Sequence, residues 1–251
     1  MIIKFSNVNK FVSFVKGLQN YEIKTSNIDF QAKKMSKIYL YCMPGMAASP
    51  KIFEYLKLPD MFELHLLSWM PPKRNESLSE YAKRMCGRVK HDKPVLLGVS
   101  FGGVLVQEMA KHIAIRDLVV VSSIKNKEEL PLPMKMAQKT GAHKLLPTQW
   151  IRNIDKLALF AFGKGIKKRL VLYQRYLSER NPEYLNWAID ALIHWDQEHT
   201  LNEILHIHGA SDTVFPIKNL SKPYIKIKGG HAAIITQAAW FNKRLPELLK
   251  K

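Results

Sequence analysis

Six short apolar segments, separated by stretches with helical periodicity, constrain the fold of this chain more than any other feature of its sequence. Each segment is six to eight residues long and rich in β-branched and aromatic residues, as expected for β-strands. Because the apolar runs are nearly continuous, both faces of each strand are expected to be buried. The six segments cover residues 37–43, 63–69, 94–99, 117–123, 203–209 and 223–230.

Helical patterns lie between these predicted strands. Ser49 and Pro50 would serve as the N-cap and the first residue of the earliest helix. Strands that alternate with helices are typical of the α/β class. The sequence therefore predicts a mostly parallel central sheet covered by helices on both faces. The helical patterns cover residues 49–58, 77–90, 103–113 and 238–250.

One long segment breaks the alternation of strands and helices. Residues 124–202 are almost wholly helical in pattern and are too long for a simple connection between two strands. An insertion that follows a strand lies over the carboxyl edge of a parallel sheet, where ligands of such folds bind. We therefore predict an all-helical cap at 124–202, inserted into a core formed by 37–123 and 203–251.

The first 36 residues are polar and rich in lysine, with one weak amphipathic stretch. We predict an N-terminal extension of uncertain structure at 1–36. Two interpretations stay open for residues 1–34. They are either a dispensable extension that precedes the functional chain, or an edge hairpin formed by the segments MIIKF and SNIDF.

The charge of the chain is strongly positive, at +18 over 251 residues. The excess is spread along the sequence, whereas a nucleic-acid-binding protein concentrates it on one face or one helix. The densest basic cluster, residues 163–170, fits a solvated exterior better than an anionic partner. No apolar run approaches the roughly 20 residues of a membrane span. We expect no nucleic-acid partner and no integral membrane association.

Cysteine usage and the N-terminal sequence together suggest a compartment. Cys42 and Cys86 lie in apolar or helical contexts, so we expect free, buried thiols, which suit a reducing environment. Lysines interrupt every short apolar stretch near the N-terminus, which therefore resembles no secretory signal. The sequence predicts a cytoplasmic protein.

A serine flanked by glycines follows the third predicted strand and precedes a helix. The segment Gly98-Val99-Ser100-Phe101-Gly102 has the pattern G-x-S-x-G in the strand-to-helix context that this motif requires. A turn this sharp needs small neighbours and holds the serine in strained backbone geometry. The Ser100 hydroxyl is expected to project from the sheet. The N–H of Phe101, at the positive end of the helix, would face the same space.

From about residue 37 onward, the chain resembles the α/β-hydrolase family, whose catalytic order is nucleophile, acid, histidine. The segment IHGASDTVFP at 207–216 is similar to the acid loop of that family, which implies that Asp212 is the acid. The segment KIKGGHAAII at 226–235 is similar to its histidine loop, which implies that His231 is the base. Only 19 positions separate these two residues, so the helix between them is expected to be reduced.

The same resemblance implies a second oxyanion donor in the loop after the first strand. The family pattern places it at the residue that follows Pro44-Gly45, which assigns the N–H of Met46 beside that of Phe101. Most members have His-Gly where this chain has Pro-Gly. Substrate-binding residues are not assigned, because the cap that would supply them carries no recognisable motif.

These residues predict a serine hydrolase that cleaves a carboxylic ester or thioester of a small acyl substrate through an acyl-enzyme. A serine hydroxyl needs a neighbouring base, and imidazole titrates near neutral pH. Two alternatives stay open: an acyltransferase with the same triad, and a catalytically silent binding protein with this fold. No metal or organic cofactor is implied. His206 and His208 share one face of a strand without further ligands, so we expect them in the core.

Overall fold

The computed structural model of the chain describes residues 37–141 and 175–249. The chain divides into two units after residue 37, and the described residues from 38 onward belong to the second unit. The predicted extension at 1–36 and the basic segment at 163–170 lie outside the described residues. Within the described part, no helix has both the length and the apolar character needed to cross a bilayer.

In the described residues of the second unit, one sheet of six strands forms the centre. Its strands lie in the order β2-β1-β3-β4-β5-β6, and every neighbouring pair is parallel. The predicted parallel α/β architecture is therefore confirmed. The strands are β1 (Ile38–Met43), β2 (Phe62–Leu66), β3 (Val95–Val99), β4 (Asp117–Val121), β5 (Ile204–Gly209) and β6 (Ile225–Ile227).

The core is centred on β1, β3 and β4, in which nearly all residues are buried. Every residue of β3 is buried, including both its odd and even positions. Since successive side chains of a strand point to opposite faces, the sheet must be covered on both sides here. This explains why the central strands read as continuous apolar runs rather than as alternating ones.

Six α-helices occur in the described residues. The first, α1, begins with a capping box in which Ser77 and Glu80 each accept a hydrogen bond from the other's backbone N–H. It ends at Cys86, four residues before the end of its predicted pattern. The helices are α1 (Leu78–Cys86), α2 (Phe101–Met109), α3 (Leu132–Thr140), α4 (Pro182–Ile193), α5 (Ala233–Thr236) and α6 (Ala238–Leu248).

The helix predicted at 49–58 is wrong. The segment contains one 3-10 turn, Pro50–Phe53, and Ser49 makes no side-chain capping bond. Contacts from elsewhere in the chain override the local propensity. The N–H of Ser49 donates to the carbonyl of Tyr176, and the Tyr176 hydroxyl donates to Glu54, so both ends of the turn are fixed from outside.

The long segment between β4 and β5 is described only at its ends, where α3 follows β4 and α4 precedes β5. Residues 142–174 lie outside the described part, so the predicted cap stays a prediction. Helix α4 packs directly on the core. The indole N–H of Trp187 donates to the carbonyl of Glu76 at 2.7 Å, and its ring lies 4.4 Å from that of Tyr81. The ring of Tyr184 lies 5.1 Å from that of Trp69.

The two cysteines are free and buried, as predicted. Burial raises the pKa of Cys86 to about 11 and that of Cys42 further still. Both side chains therefore stay as neutral thiols at physiological pH, where they act as small apolar core residues.

Candidate active site

Ser100 lies at the junction between β3 and α2. Its backbone has φ 55° and ψ −124°, in a region that L-residues rarely adopt. Two hydrogen bonds hold it there. Its N–H donates to the carbonyl of Val121 at 2.9 Å, and the Ser123 hydroxyl donates to its carbonyl at 2.7 Å. The strained turn predicted from the sequence motif is therefore present and is braced by the end of β4.

The glycines on either side of Ser100 are required by close backbone contacts. A Cβ added to Gly98 would lie 2.2 Å from the carbonyl oxygen of Gly102. A Cβ added to Gly102 would lie 2.3 Å from the carbonyl oxygen of Pro44. Both distances are shorter than any van der Waals contact, so only glycine fits at these two positions. The backbone of the turn can therefore lie in close contact with both its own helix and the end of β1.

His231 connects the serine to the acid loop. It follows β6 and precedes α5, and its Nε2 lies 2.8 Å from Oγ of Ser100. Its Nδ1 lies 2.9 Å from Oδ2 of Asp212. The imidazole and the ring of Phe215 meet in an edge-to-face arrangement, with centroids 5.6 Å apart and an interplanar angle of 62°. The structure thus brings together the three residues that the sequence implied as nucleophile, base and acid.

Asp212 is buried, with 5% of its surface exposed, and both of its carboxylate oxygens are engaged. Oδ1 accepts from the backbone N–H groups of Val214 and Phe215, at 2.8 and 3.0 Å. Burial by itself would raise the pKa of Asp212, but its electrostatic interaction and hydrogen bond with His231, together with the bonds from His208 and Phe215, hold that pKa well below its usual range. The carboxylate is therefore ionised at neutral pH.

The tautomer of His231 follows from this charge. An ionised carboxylate can only accept hydrogen bonds, so the proton shared with Asp212 belongs to Nδ1 of the imidazole. In the neutral form of this imidazole, Nε2 carries a lone pair, and Nε2 lies 2.8 Å from the hydroxyl oxygen of Ser100. This is the arrangement that a general base needs.

Sequence reasoning placed His208 in the core but did not predict its contact with the acid. Its Nε2 lies 2.8 Å from the carbonyl oxygen of Phe215 and 3.3 Å from Oδ2 of Asp212. His208 thus fastens both ends of the turn that carries the carboxylate. Its position within the acid-loop segment, four residues before Asp212, is the sequence signal that could have indicated this role.

His206 lies behind His208 on the same face of β5, with its Nε2 3.1 Å from Nδ1 of His208. Burial, reinforced by His208 and Lys125, lowers the pKa of His206 to about 3. The pair is thus a buried, hydrogen-bonded extension of the acid loop.

This shift predicts how stability depends on pH. The folded pKa of His206 lies below its unfolded value of about 6.5, so below pH 6.5 the unfolded chain binds a proton that the folded chain excludes. At pH 5 this costs about 2 kcal/mol of unfolding free energy. We expect urea titrations at pH 7 and pH 5 to show a smaller loss of stability in His206→Gln than in the natural chain.

His199→Gln, a change at an exposed histidine, is the matched control and should lose as much stability as the natural chain. Asp212, whose folded pKa is lowered, contributes its full stabilisation at every pH above its unfolded pKa of about 3.9. Its contribution to the unfolding free energy therefore does not change between pH 7 and pH 5. Equal losses in the His206 variant and the control would contradict the assignment.

A second buried network fastens the strand that leads to His231. The carboxylate of Glu129 accepts from the backbone N–H of Lys125 at 2.7 Å and from that of Ser221 at 2.9 Å. The ammonium of Lys125 donates to the carbonyl of Pro223 at 3.1 Å. Burial lowers the pKa of Lys125, and Glu129 opposes that shift. The segment after β4 is thereby joined to the segment that enters β6.

Phe101 and Met46, whose N–H groups are the predicted oxyanion donors, are each adjacent in sequence to a residue of the serine turn or to one that contacts it. Phe101 is the first residue of α2 and is fully buried, with its ring stacked on Trp69 at 5.2 Å and 10°. Met46 follows Gly45, and a Cβ on Gly45 would lie 3.2 Å from Cβ of Ser100. The indole N–H of Trp69 donates to the carbonyl of Gly45 at 2.9 Å and so fixes this turn.

The reduced connection between Asp212 and His231 is also present, as one 3-10 turn at Ile217–Asn219. After this turn, the segment from Ser221 to Pro223 is held by Lys125 and Glu129. The spacing of 19 residues is sufficient because β6 has only three residues.

Comparisons with known proteins identify the fold. No protein-family model and no curated protein matches the sequence. Among solved structures, a hydrolase from Pseudomonas aeruginosa PA01 superimposes with a TM-score of 0.66 at 16% identity, covering 86% of this chain and 91% of that one. An esterase from Exiguobacterium antarcticum gives 0.67 at 16% identity, covering 86% and 93%. An enol-lactonase from Burkholderia xenovorans LB400 gives 0.64 at 14% identity, covering 86% and 92%.

These structures share the parallel sheet with flanking helices that is described above. The similarity extends over most of each chain, although few residues are identical. The strand order, the strained serine turn after β3 and the structural matches lead to one conclusion. The chain has the α/β-hydrolase fold.

Proposed function

We propose that this protein is a serine hydrolase that cleaves a carboxylic ester or thioester through an acyl-enzyme intermediate. One observation carries the proposal: an unbroken hydrogen-bonded series runs from Oγ of Ser100 through His231 to the buried carboxylate of Asp212. Each residue type in this series matches the requirement of one step of acyl transfer.

In the first half of the reaction, His231 Nε2 takes the proton of the Ser100 hydroxyl as Oγ bonds to the carbonyl carbon. The imidazolium that forms is stabilised by Asp212, which keeps its negative charge throughout. The tetrahedral intermediate collapses as its bond to the leaving oxygen or sulfur breaks. The leaving group takes the proton from Nε2, and the acyl group stays on Ser100.

In the second half, water loses a proton to Nε2 and its oxygen attacks the acyl carbon. The bond to Oγ breaks, the proton returns to Ser100, and the carboxylic acid leaves. We assign stabilisation of the oxyanion in both halves to the backbone N–H groups of Phe101 and Met46. Preorganised donors of this kind contribute about 3–4 kcal/mol each to related reactions.

The names of the structural neighbours support the same class of reaction. An esterase and an enol-lactonase both act on esters, one of them cyclic, and each is similar to this chain over most of its length. The buried, ionised acid and the strained serine argue against the catalytically silent alternative, since a binding protein has no need of either.

A fluorophosphonate probe tests the nucleophile directly. The natural chain should be labelled at Ser100 and Ser100→Ala should not be, with peptide mapping as the measurement. A series of p-nitrophenyl esters and acyl-thioesters of graded chain length then gives the acyl preference. Folded natural protein that takes no label and cleaves none of these compounds would favour the silent binding protein.

Analysis of the reaction products distinguishes hydrolysis from acyl transfer to another acceptor. With an added alcohol or thiol acceptor, a hydrolase should release mainly free acid, because water resolves the acyl-enzyme. Predominant formation of the acylated acceptor at low acceptor concentration would replace hydrolysis by the acyltransferase alternative.

A further inference from the structure

A second cluster of chemically capable side chains lies away from the triad. Glu63, His65 and His91 each offer one ligand atom, and these atoms all lie within 4.8 Å of one another. We propose that this cluster binds a divalent transition-metal ion of the zinc class. The proposal is independent of the hydrolase reaction, because none of its residues belongs to the triad or to the acid loop.

The fold places these residues together. Glu63 and His65 alternate along β2, so their side chains share one face of the sheet. In the register of the sheet, they pair with Tyr39 and Tyr41 of β1. His91 lies in the turn that leads into β3, on the other side of β1. Residues from two strands and one turn thus converge on one small area.

Both imidazoles are held by tyrosine rings. His91 stacks on Tyr39, with centroids 3.6 Å apart and an interplanar angle of 8°. His65 stacks on Tyr41 at 4.6 Å and 15°. The Tyr41 hydroxyl also lies 2.8 Å from Nδ1 of His91. Ligand rings that are fixed by their neighbours lose little freedom when a metal binds, which favours affinity.

The geometry already approaches that of a metal site. Nε2 of His65 lies 3.1 Å from Oε1 of Glu63. Two ligands of a tetrahedral zinc ion lie about 3.3 Å apart, given bonds of about 2.0–2.1 Å. The contact with Glu63 thus already holds this nitrogen at about the separation that two ligands of one metal ion require.

The ligand set determines the class of ion. Two imidazoles and one carboxylate suit zinc, with water as the fourth ligand, whereas magnesium and calcium prefer oxygen alone. The side chains of His65 and Glu63 are 28% and 38% exposed, so an ion can enter from solvent. Glu63 can close the remaining distance by rotation about its side-chain bonds, which leaves the strand in place.

Zinc binding is best measured by competition with a chromophoric chelator, using the full chain. We expect about one zinc ion per chain, and at least a 10-fold weaker affinity in His65→Gln, His91→Gln and Glu63→Gln. Glu63→Gln keeps the shape of a ligand whose side chain is 38% exposed, so it tests the site even if a histidine variant folds poorly. His199→Gln is the matched control and should bind zinc like the natural chain.

Thermal unfolding gives a second readout. Zinc at about 100 times its dissociation constant should raise the Tm of the natural chain by about 5–10 °C, and magnesium should not. The rise should be lost in the three ligand variants. Equal zinc affinity in all variants would overturn the proposal and leave an ordinary Glu63–His65 ion pair. Zinc that is lost in His231→Gln and kept in His65→Gln would place the ion at the triad instead.

Discussion

Ser100→Ala is expected to lower kcat/KM for a cleavable ester by about 10⁴- to 10⁶-fold, because the reaction loses its nucleophile while the fold is unchanged. Steady-state kinetics with the best p-nitrophenyl ester measure the loss. The Ser100→Ala, His231→Ala double variant should lose little more than either single variant, since the two residues act as one unit. Additive losses would contradict the triad.

Ser100→Gly separates the chemistry from the backbone strain. Both variants lose the hydroxyl, but only glycine relieves the positive φ of 55°. We expect Ser100→Gly to be about 1–2 kcal/mol more stable than Ser100→Ala in urea titrations, with the same loss of activity. Equal stability of the two variants would mean that the turn stores no strain.

The second large effect that we expect is a loss of folding stability in Gly98→Ala. Gly98→Ala would place a methyl group 2.2 Å from the carbonyl oxygen of Gly102 and 2.6 Å from Cα of Gly103. These are backbone atoms of the helix that carries the site, so relief requires β3 and α2 to separate. We expect a loss of more than about 4 kcal/mol of unfolding free energy, or no folded protein at all.

Gly87→Ala is the matched control for this experiment. Gly87 has φ −61°, and its added Cβ would meet one carbonyl, that of Arg84, at 3.2 Å. We expect a change within about 1 kcal/mol, measured by the same urea titration. A Gly98→Ala chain as stable as this control would refute the close packing at the serine turn.

Much of the site could be predicted because it depends on local patterns. The apolar segments indicated the sheet, and the glycines around Ser100 indicated a sharp turn before any contact was known. The assignment of Asp212 and His231 rests on the resemblance of their loops, and of their order in the chain, to the α/β-hydrolase family. The sheet and the turn could be inferred from the residues themselves, because their backbone requirements are visible in the residue types.

The remainder depends on contacts between distant segments. The helix expected at 49–58 is replaced by one turn because Tyr176 fixes both ends of it. The contact of His208 with Asp212 needs the acid loop to fold back on β5. The alternation of Glu63 and His65 on β2 is visible in the sequence, but the approach of His91 from another turn is not.

The three-residue strand β6 has a consequence for how the chain matures. Ser100 and His231 are 131 positions apart and meet only when this last strand docks on β5. Parallel pairing between remote segments is slow, because the entropy cost of closing the intervening loop comes before the strand contacts stabilise the chain. Before β6 pairs with β5, the Ser100 hydroxyl has no imidazole beside it. The proposed nucleophile is therefore expected to stay unreactive in a growing or partly folded chain until the sheet is complete.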